Sequence, residues 1–162
     1  MKKGFTMIEL IFVIVILGVL ASVAIPRLAA TRDDAEVAKA ATNLTTAVSD
    51  LTAYYTAKGH FKSGSGAQAQ KIADFTKLTN ALSKDGKLLV KGKKECVGVT
   101  LPDGTNTSGK VVLTLNFKPA EDPVCQQLVK LPGIKTMCGK GETSSLTGNC
   151  EIQIGGSGGI QF

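Results

Sequence analysis

The hydrophobic residues of the chain follow three successive patterns. Residues 8–25 are apolar almost without interruption, and the one carboxylate among them is Glu9. Between residues 37 and 55 the apolar positions recur at steps of four and three, which places them in a single stripe along an α-helix. Between residues 111 and 117 they follow the alternation of a half-buried strand. The order of these patterns predicts an apolar helix, then an amphipathic helix, and then a sheet.

The first pattern is long enough to cross a membrane. A bilayer-spanning helix needs roughly 20 mostly apolar residues, and residues 8–25 approach that length. Lys2 and Lys3 precede the segment, and positive charge of this kind favours the cytoplasmic side. Glu9 is the exception, because a charged side chain within a membrane costs about 2.5–3.5 kcal/mol on insertion scales and usually has a partner. The partner of Glu9 is therefore the central functional question.

The helical pattern continues beyond Pro26 as far as a stop signal at Gly59. Alanines such as Ala40 and Ala47 supply helix propensity outside the apolar stripe. A helix over residues 5–58 has about 54 residues and spans roughly 80 Å, which is longer than a domain of this size covers. We therefore expect the apolar half to protrude. The stripe itself consists of Val37, Ala41, Leu44, Val48, Leu51 and Tyr55.

Residues 59–162 are expected to form a small head. An amphipathic pattern predicts a short helix over residues 71–83, and a lysine-rich stretch follows at 84–94. Strands are predicted at 96–101 and 110–117, joined by a long turn, and at 150–154. Asp122 and Pro123 are typical of a helix start, and that helix would run to about residue 130, before Pro132. The fold class is α+β: a long N-terminal helix packed on a small antiparallel sheet of three strands.

The cysteines indicate an oxidising compartment. The 162 residues suit one domain plus a terminal element, and the formal net charge of +6 indicates solubility more than nucleic-acid binding. None of the four cysteines forms a C-x-x-C pair, which disfavours a zinc site. An even number after an export-type segment indicates two disulfides. Of the three possible connectivities we favour Cys125–Cys138 with Cys96–Cys150.

A secretory signal peptide is the simplest alternative for the N-terminus. Ser22-Val23-Ala24 resembles a cleavage site, with the cut after Ala24. Against it, Glu9 has no role in a signal-peptide core, and the charged region before the apolar run is very short. The helical pattern also continues past the supposed cut. These features favour a helix that the mature protein keeps.

The stretch Gly4-Phe5-Thr6-Met7-Ile8-Glu9-Leu10 resembles the processing motif of type IV prepilins and type II secretion pseudopilins. The resemblance implies that a membrane prepilin peptidase cuts between Gly4 and Phe5 and methylates Phe5, the first mature residue. It also implies that Glu9 of an incoming subunit meets the α-amino group of its neighbour during assembly. Cleavage places that new amine one helical turn from Glu9 in its own chain.

Two helix-weakening residues, Gly18 and Pro26, also stand where that family's apolar helix carries a glycine and a proline. Pro26 lacks the N–H that would bond to the carbonyl of Ser22, so the stretch between Gly18 and Pro26 is the softest part of the helix. Pilins of this family can lose helical structure there within the filament. A passive kink near the membrane surface is the alternative.

The resemblance predicts a structural subunit that polymerises into a type IV pilus or a type II secretion pseudopilus. Its expected divisions are a leader (1–4), a membrane or filament-core segment (5–26), an amphipathic helix (27–58) and a disulfide-containing head (59–162). The precursor would sit in the inner membrane with its N-terminus cytoplasmic and its head periplasmic, and would later join a periplasmic or cell-surface filament. Implied partners are further copies, the prepilin peptidase, an assembly ATPase, an inner-membrane platform protein and an outer-membrane secretin.

Other functions receive less support from the residues. With His60 as the only histidine, the chain offers no catalytic arrangement worth proposing, so we do not expect an enzyme. No cofactor is expected. Some major pseudopilins bind calcium near the C-terminus, but Glu121, Asp122, Glu142 and Glu151 match no calcium loop. The lysines at 84–94 would touch DNA in a DNA-uptake filament or else form a solvated face. A monomeric membrane-anchored or exported binding domain is the alternative outside the filament class.

Overall fold

A computed structural model describes residues 4–64, 69–103, 109–141 and 143–156, with only the backbone at residues 29 and 30. The chain divides into two compact units, Met1–Ala35 and Glu36–Phe162. The predicted turn at residues 102–109 lies partly outside the described residues, and Lys2 and Lys3 lie outside them.

The long helix is present as predicted. Helix α1 runs over Met7–Lys58, 52 residues, and remains helical through Pro26. It ends at Gly59, which has a φ of 73° and donates its N–H to the carbonyl of Tyr55 at 2.7 Å. A left-handed glycine directly after the last helical residue satisfies a terminal carbonyl without a Cβ penalty. The stop signal at Gly59 is confirmed.

The second half of α1 buries one face in the head. Its most buried residues recur at steps of three and four and include the predicted Val37, Leu44 and Leu51. The expectation that Ala40 and Ala47 lie outside the stripe was wrong, because both are buried at its centre. Their small side chains let the helix approach the sheet closely, and the other members of the predicted stripe flank them half-buried. These flanking residues are Ala41, Val48 and Tyr55.

A four-stranded antiparallel sheet forms the other layer of the head. A two-residue pair comes first, β1 (Lys62–Ser63) with β2 (Gln70–Lys71). The main sheet has the order β3-β4-β5-β6. Strands β4 (Lys94–Thr100) and β5 (Val111–Phe117) are the predicted hairpin, and β6 (Gly148–Gly155) contains the predicted last strand. The α+β class with a long helix on a small antiparallel sheet is confirmed.

The strand β3 (Lys87–Val90) adds a fourth member to a sheet that was predicted to have three. Its alternation is short and interrupted by exposed Leu89, but Leu88 and Val90 are buried. The turn into β4 places both Lys91 (φ 50°) and Gly92 (φ 73°) in the left-handed region. The strand was not predicted because the lysines around it mask its apolar pattern in the sequence. They keep the edge of the strand in solvent while two apolar side chains enter the core.

The helix predicted over residues 71–83 was wrong. The described chain there holds one 3₁₀ turn, Phe75–Lys77, capped by Asp74. Its buried apolar side chains, Ile72, Phe75 and Leu82, do not lie on one face of a helix but reach the core from an irregular backbone. The segment is fixed to α1 by the buried Thr79, whose hydroxyl donates to Oδ2 of Asp50 at 2.7 Å. Tertiary anchoring of this kind overrides a short helical periodicity.

Two short helices connect β5 to β6. Helix α2 (Pro123–Leu128) starts at the predicted Asp122 cap and stops two residues before the expected end at about 130. Pro132 was expected to follow a helix end, yet it also opens a second helix, α3 (Pro132–Met137). Proline is well suited to a first helical turn, because the N–H it lacks has no intrahelical partner there.

The favoured disulfide pairing was wrong. The bonds join Cys96 to Cys125 and Cys138 to Cys150, with Cα–Cα distances of 5.1 and 5.4 Å. The chain leaving β5 returns beside β4, where the N–H of Lys118 donates to the carbonyl of Cys96 at 2.8 Å, and this brings α2 over that cysteine. Cys138 ends α3 and faces the interior position of Cys150 on β6. The path between elements decides the pairing, which spacing along the chain does not reveal.

Candidate processing and assembly segment

The first unit exposes an apolar helix. Phe5 is 84% exposed and Ile8 is 76% exposed, and none of the most apolar 18-residue window of α1 is buried. Apart from Leu89, every large hydrophobic residue that is exposed in the described chain lies between Phe5 and Leu28. By length and composition this helix is able to cross a membrane. A continuous apolar surface of this extent requires a cover, whether lipid or protein.

The carboxylate of Glu9 accepts hydrogen bonds from the residue that precedes helix α1. The backbone N–H of Thr6 donates to Oε2 of Glu9 at 2.9 Å, and the hydroxyl of Thr6 donates to the same oxygen at 2.7 Å. In return the N–H of Glu9 approaches Oγ1 of Thr6 at 3.4 Å. This reciprocal arrangement is a capping box with Thr6 immediately before the first helical residue, Met7.

Sequence reasoning missed this role of Glu9, although the signal is visible in the chain. Thr6 and Glu9 have the T-x-x-E spacing of a capping box directly before an apolar run. The carboxylate therefore has a structural partner before any cleavage occurs. Both hydrogen bonds that Thr6 donates, one from its backbone N–H and one from its hydroxyl, end on Oε2, so a cation would approach the carboxylate from the side of Oε1.

The predicted cleavage position lies just before the helix. Gly4, Phe5 and Thr6 are exposed and have no regular secondary structure. The space where a Cβ of Gly4 would lie has no atom within 4 Å. A peptide bond in this setting can be drawn out as an extended substrate, whereas a bond inside α1 would first have to unwind.

The two residues predicted to soften α1 lie further along the same helix. A Cβ at Gly18 would meet nothing within 4 Å, so no close contact requires its small size in the isolated chain. Pro26 lies inside α1, and before it the hydroxyl of Ser22 donates to the carbonyl of Val19 at 2.7 Å. Of the predicted processing and assembly residues, the structure brings Gly4, Phe5 and Glu9 together at one helix end, while Gly18 and Pro26 stand apart from them.

The acidic residues considered for calcium do not converge within the described chain. Asp122 caps α2, since its Oδ1 accepts the N–H of Val124 at 2.9 Å, and that hydrogen bond lowers the pKa of the carboxyl. Glu121 belongs to a 3₁₀ turn and Glu151 is exposed on β6, whereas Glu142 lies outside the described residues. Among the residues that the structure describes, no three acidic, histidine or cysteine side chains form a metal-sized group.

Part of the lysine-rich stretch is neutralised by acidic neighbours. Nζ of Lys87 lies 3.2 Å from Glu95, which also pairs with Lys118 at 2.8 Å. These contacts, the hydrogen bond from Lys118 first, hold the pKa of the Glu95 carboxyl below its usual range. Nζ of Lys91 lies 3.2 Å from Asp122. Two of the five lysines in the stretch therefore form local ion pairs with acidic side chains.

Comparison with known families adds one match, and it falls on this segment. Residues 1–25 match the model of the prokaryotic N-terminal methylation motif. The chain carries the type IV pilin and pseudopilin signature. No curated protein and no solved structure matched the chain. The pilin signature covers the capping box and most of the exposed apolar helix, so it includes nearly all of the exposed large hydrophobic residues of the described chain.

Proposed function

We propose that the protein is a pilin-like structural subunit that polymerises into a type IV pilus or a type II secretion pseudopilus. The observation that carries the proposal is the methylation motif at residues 1–25 on a helix with none of its apolar window buried. An enzyme would need a constellation of reactive groups, and the matched segment offers one carboxylate. A polymer core, in contrast, needs a long apolar helix on every copy.

The first step is processing of the precursor. A prepilin peptidase cuts between Gly4 and Phe5, and the new α-amino group of Phe5 is methylated. The open, non-helical backbone at Gly4 and the exposed Phe5 support this position. Before the cut the precursor is held in the inner membrane, with Lys2 and Lys3 on the cytoplasmic side and the disulfide-bonded head in the periplasm.

The second step gives Glu9 its partner. In a staggered filament, Oε1 of Glu9 meets the α-amino cation of a neighbouring Phe5, while Thr6 continues to hold Oε2. The apolar surroundings strengthen this attraction, and the hydrogen bonds from Thr6 offset part of the cost of removing the carboxylate from water. The contact fixes the axial register of the copies. Gly18 and Pro26 mark the stretch of α1 that unwinds when the fibre is stretched.

Assembly uses the machinery that the resemblance implies: an assembly ATPase, an inner-membrane platform protein and an outer-membrane secretin. The head would then decorate a periplasmic or cell-surface filament whose core is made of α1 helices. Neighbouring genes, or a phenotype in motility, secretion or transformation, would select among a pilus, a secretion pseudopilus and a DNA-uptake filament.

Mass spectrometry of the mature N-terminus tests the proposal. We expect N-methylated Phe5 as the first residue. A start at Ile25 would instead indicate a secretory signal peptide, and a correctly processed chain that forms no filaments would indicate a monomeric membrane-anchored domain. Expression of Glu9→Ala then separates assembly from anchoring, because loss of filaments with membrane insertion intact supports polymerisation.

A further inference from the structure

An uncharged groove opens on the head between α1 and α3. Its volume is about 640 Å³. Ala41 and Thr45 line it from α1, and Leu131, Ile134 and Met137 line it from α3 and its cap. Ile134 is buried at the base, whereas Leu131 and Met137 are half-buried, so their apolar surface is only partly covered within the subunit. All of these residues belong to the second unit.

Small residues make the groove accessible to a helix. Ala41 on one wall and Gly133 on the other leave room for side chains of an approaching element. Helices pack at interaxial distances of about 8–10 Å, and the closest approaches occur where the contact residues are small. The lining contains no ionisable residue, so a charged peptide or a nucleic acid would find no partner for its charge there.

We propose, resting on the filament function above, that this groove seats the apolar segment of α1 from a second copy. The chain offers one element of matching chemistry: residues 10–26 contain no charged side chain, and their large hydrophobic members are exposed. An uncharged segment would meet an uncharged groove whose Leu131 and Met137 are only half-buried.

The contact is heterologous, because the groove belongs to the head and its occupant to the N-terminal segment. A heterologous contact that does not close on itself repeats into an open filament. The two short helices α2 and α3 place Leu131 and Met137 beside Ala41 and Thr45 of α1. Each head would therefore cover part of a neighbour's apolar helix after that helix leaves the membrane.

Site-specific photo-crosslinking in assembled full-length filaments tests the groove directly. A photo-reactive amino acid is placed at Thr45, in the groove, and separately at Thr56. The two positions are matched: both threonines are exposed on α1, and each donates its hydroxyl to the carbonyl four residues earlier at 2.9 Å. From Thr45 we expect adducts with residues 10–26 of another copy. Adducts with another copy's head, or none at all, would overturn the inference.

A second test introduces a charge into the groove. Thr45→Lys should reduce filament yield about tenfold or more, because it buries an unpaired ammonium in the contact, while Thr56→Lys should leave it unchanged. Resistance of the head to protease, with both disulfides formed, verifies folding of each variant. Normal filaments from Thr45→Lys would refute the groove contact while the proposed function stands. Absence of filaments from the processed unmodified chain would refute the proposed function itself.

Discussion

Nζ of Lys91 lies 3.2 Å from Oδ1 of Asp122, the same oxygen that caps α2 by accepting the N–H of Val124 at 2.9 Å. The backbone N–H of Lys91 in turn approaches Oε2 of Glu36 on α1 at 3.4 Å. Lys91 adopts a left-handed φ of 50°, which is uncommon for a residue with a Cβ. The turn between β3 and β4 is therefore joined to two helices through one residue.

This relationship predicts an acid-sensitive head. The hydrogen bond from Val124, and then the contact with Lys91, hold the pKa of Asp122 below its usual range. Since the pKa is lower in the folded than in the unfolded state, the stabilisation is complete above the ordinary carboxyl pKa. It is lost as the pH falls through the folded-state value. Urea unfolding of full-length protein in detergent should thus show a midpoint that declines below about pH 4.

The variant Asp122→Asn isolates the charge, because asparagine is also a good N-cap. We expect it to be less stable than the parent at neutral pH and to lose less of its remaining stability on acidification. Glu151→Gln, on the exposed face of β6, is the matched control for removing a carboxylate. An acid profile that is the same in Asp122→Asn and the parent would contradict the role given to Asp122.

Gly86 tests the packing of the segment that sequence reasoning took for a helix. A Cβ on Gly86 would lie 2.6 Å from the ring of buried Phe75, and Gly86 also has a φ of 73°. We expect Gly86→Ala to reduce the free energy of unfolding by about 1–3 kcal/mol beyond the backbone strain alone.

Gly92→Ala is the control for Gly86→Ala. Gly92 has the same φ of 73°, but its added Cβ would meet nothing within 4 Å. This control should show only the cost of a left-handed alanine, roughly 1–2 kcal/mol. Equal losses in the two variants, measured by urea unfolding, would show that Phe75 moves away without cost.

The two disulfides should contribute unequally to stability. The Cys96–Cys125 bond closes a loop with a sequence separation of 29, and the Cys138–Cys150 bond closes one of 12. On the chain-entropy estimate, removing the first would cost about 3.6 kcal/mol and the second about 2.8 kcal/mol. Paired alanine substitutions at each bond, followed by urea unfolding, measure the difference. Peptide mapping of the unreduced protein that recovers any other pairing would contradict the structure.

Sequence reasoning succeeded where a pattern was long or local. The stripe through Val37, Leu44 and Leu51 extends over several turns. Asp122 before Pro123 is a local signal, because the aspartate side chain accepts a hydrogen bond from the first turn of the helix. It failed where a distant contact decides the structure. Thr79 holds residues 72–83 through Asp50, and the return of the chain past β4 selects Cys125 as the partner of Cys96. Neither contact leaves a trace in local periodicity.

The candidate site shows the same division. The apolar helix could be predicted from the sequence, because the motif at residues 1–25 is contiguous. Cleavage between Gly4 and Phe5 stays a prediction. The hydrogen bonds between Thr6 and Glu9 could also be predicted from their spacing, whereas the membrane cost of the carboxylate pointed only to a partner outside the helix. A charged residue in an apolar helix can have both a local and an intermolecular partner, and the two roles need separate experiments.

Substitutions at Glu9 and Thr6 separate these roles. Glu9→Gln keeps a side-chain acceptor at the third helical position, which suits a capping box, but removes the charge. Thr6→Ala removes the cap and leaves the carboxylate. If the charge is what a neighbour's amine recognises, Glu9→Gln should lose filaments as completely as Glu9→Ala, while Thr6→Ala should retain a measurable fraction. Electron microscopy of filaments, with membrane insertion checked by fractionation, measures both. Recovery of filaments in Glu9→Gln, together with their loss in Thr6→Ala, would assign Glu9 to the helix start alone. The carboxylate would then have no part in subunit register.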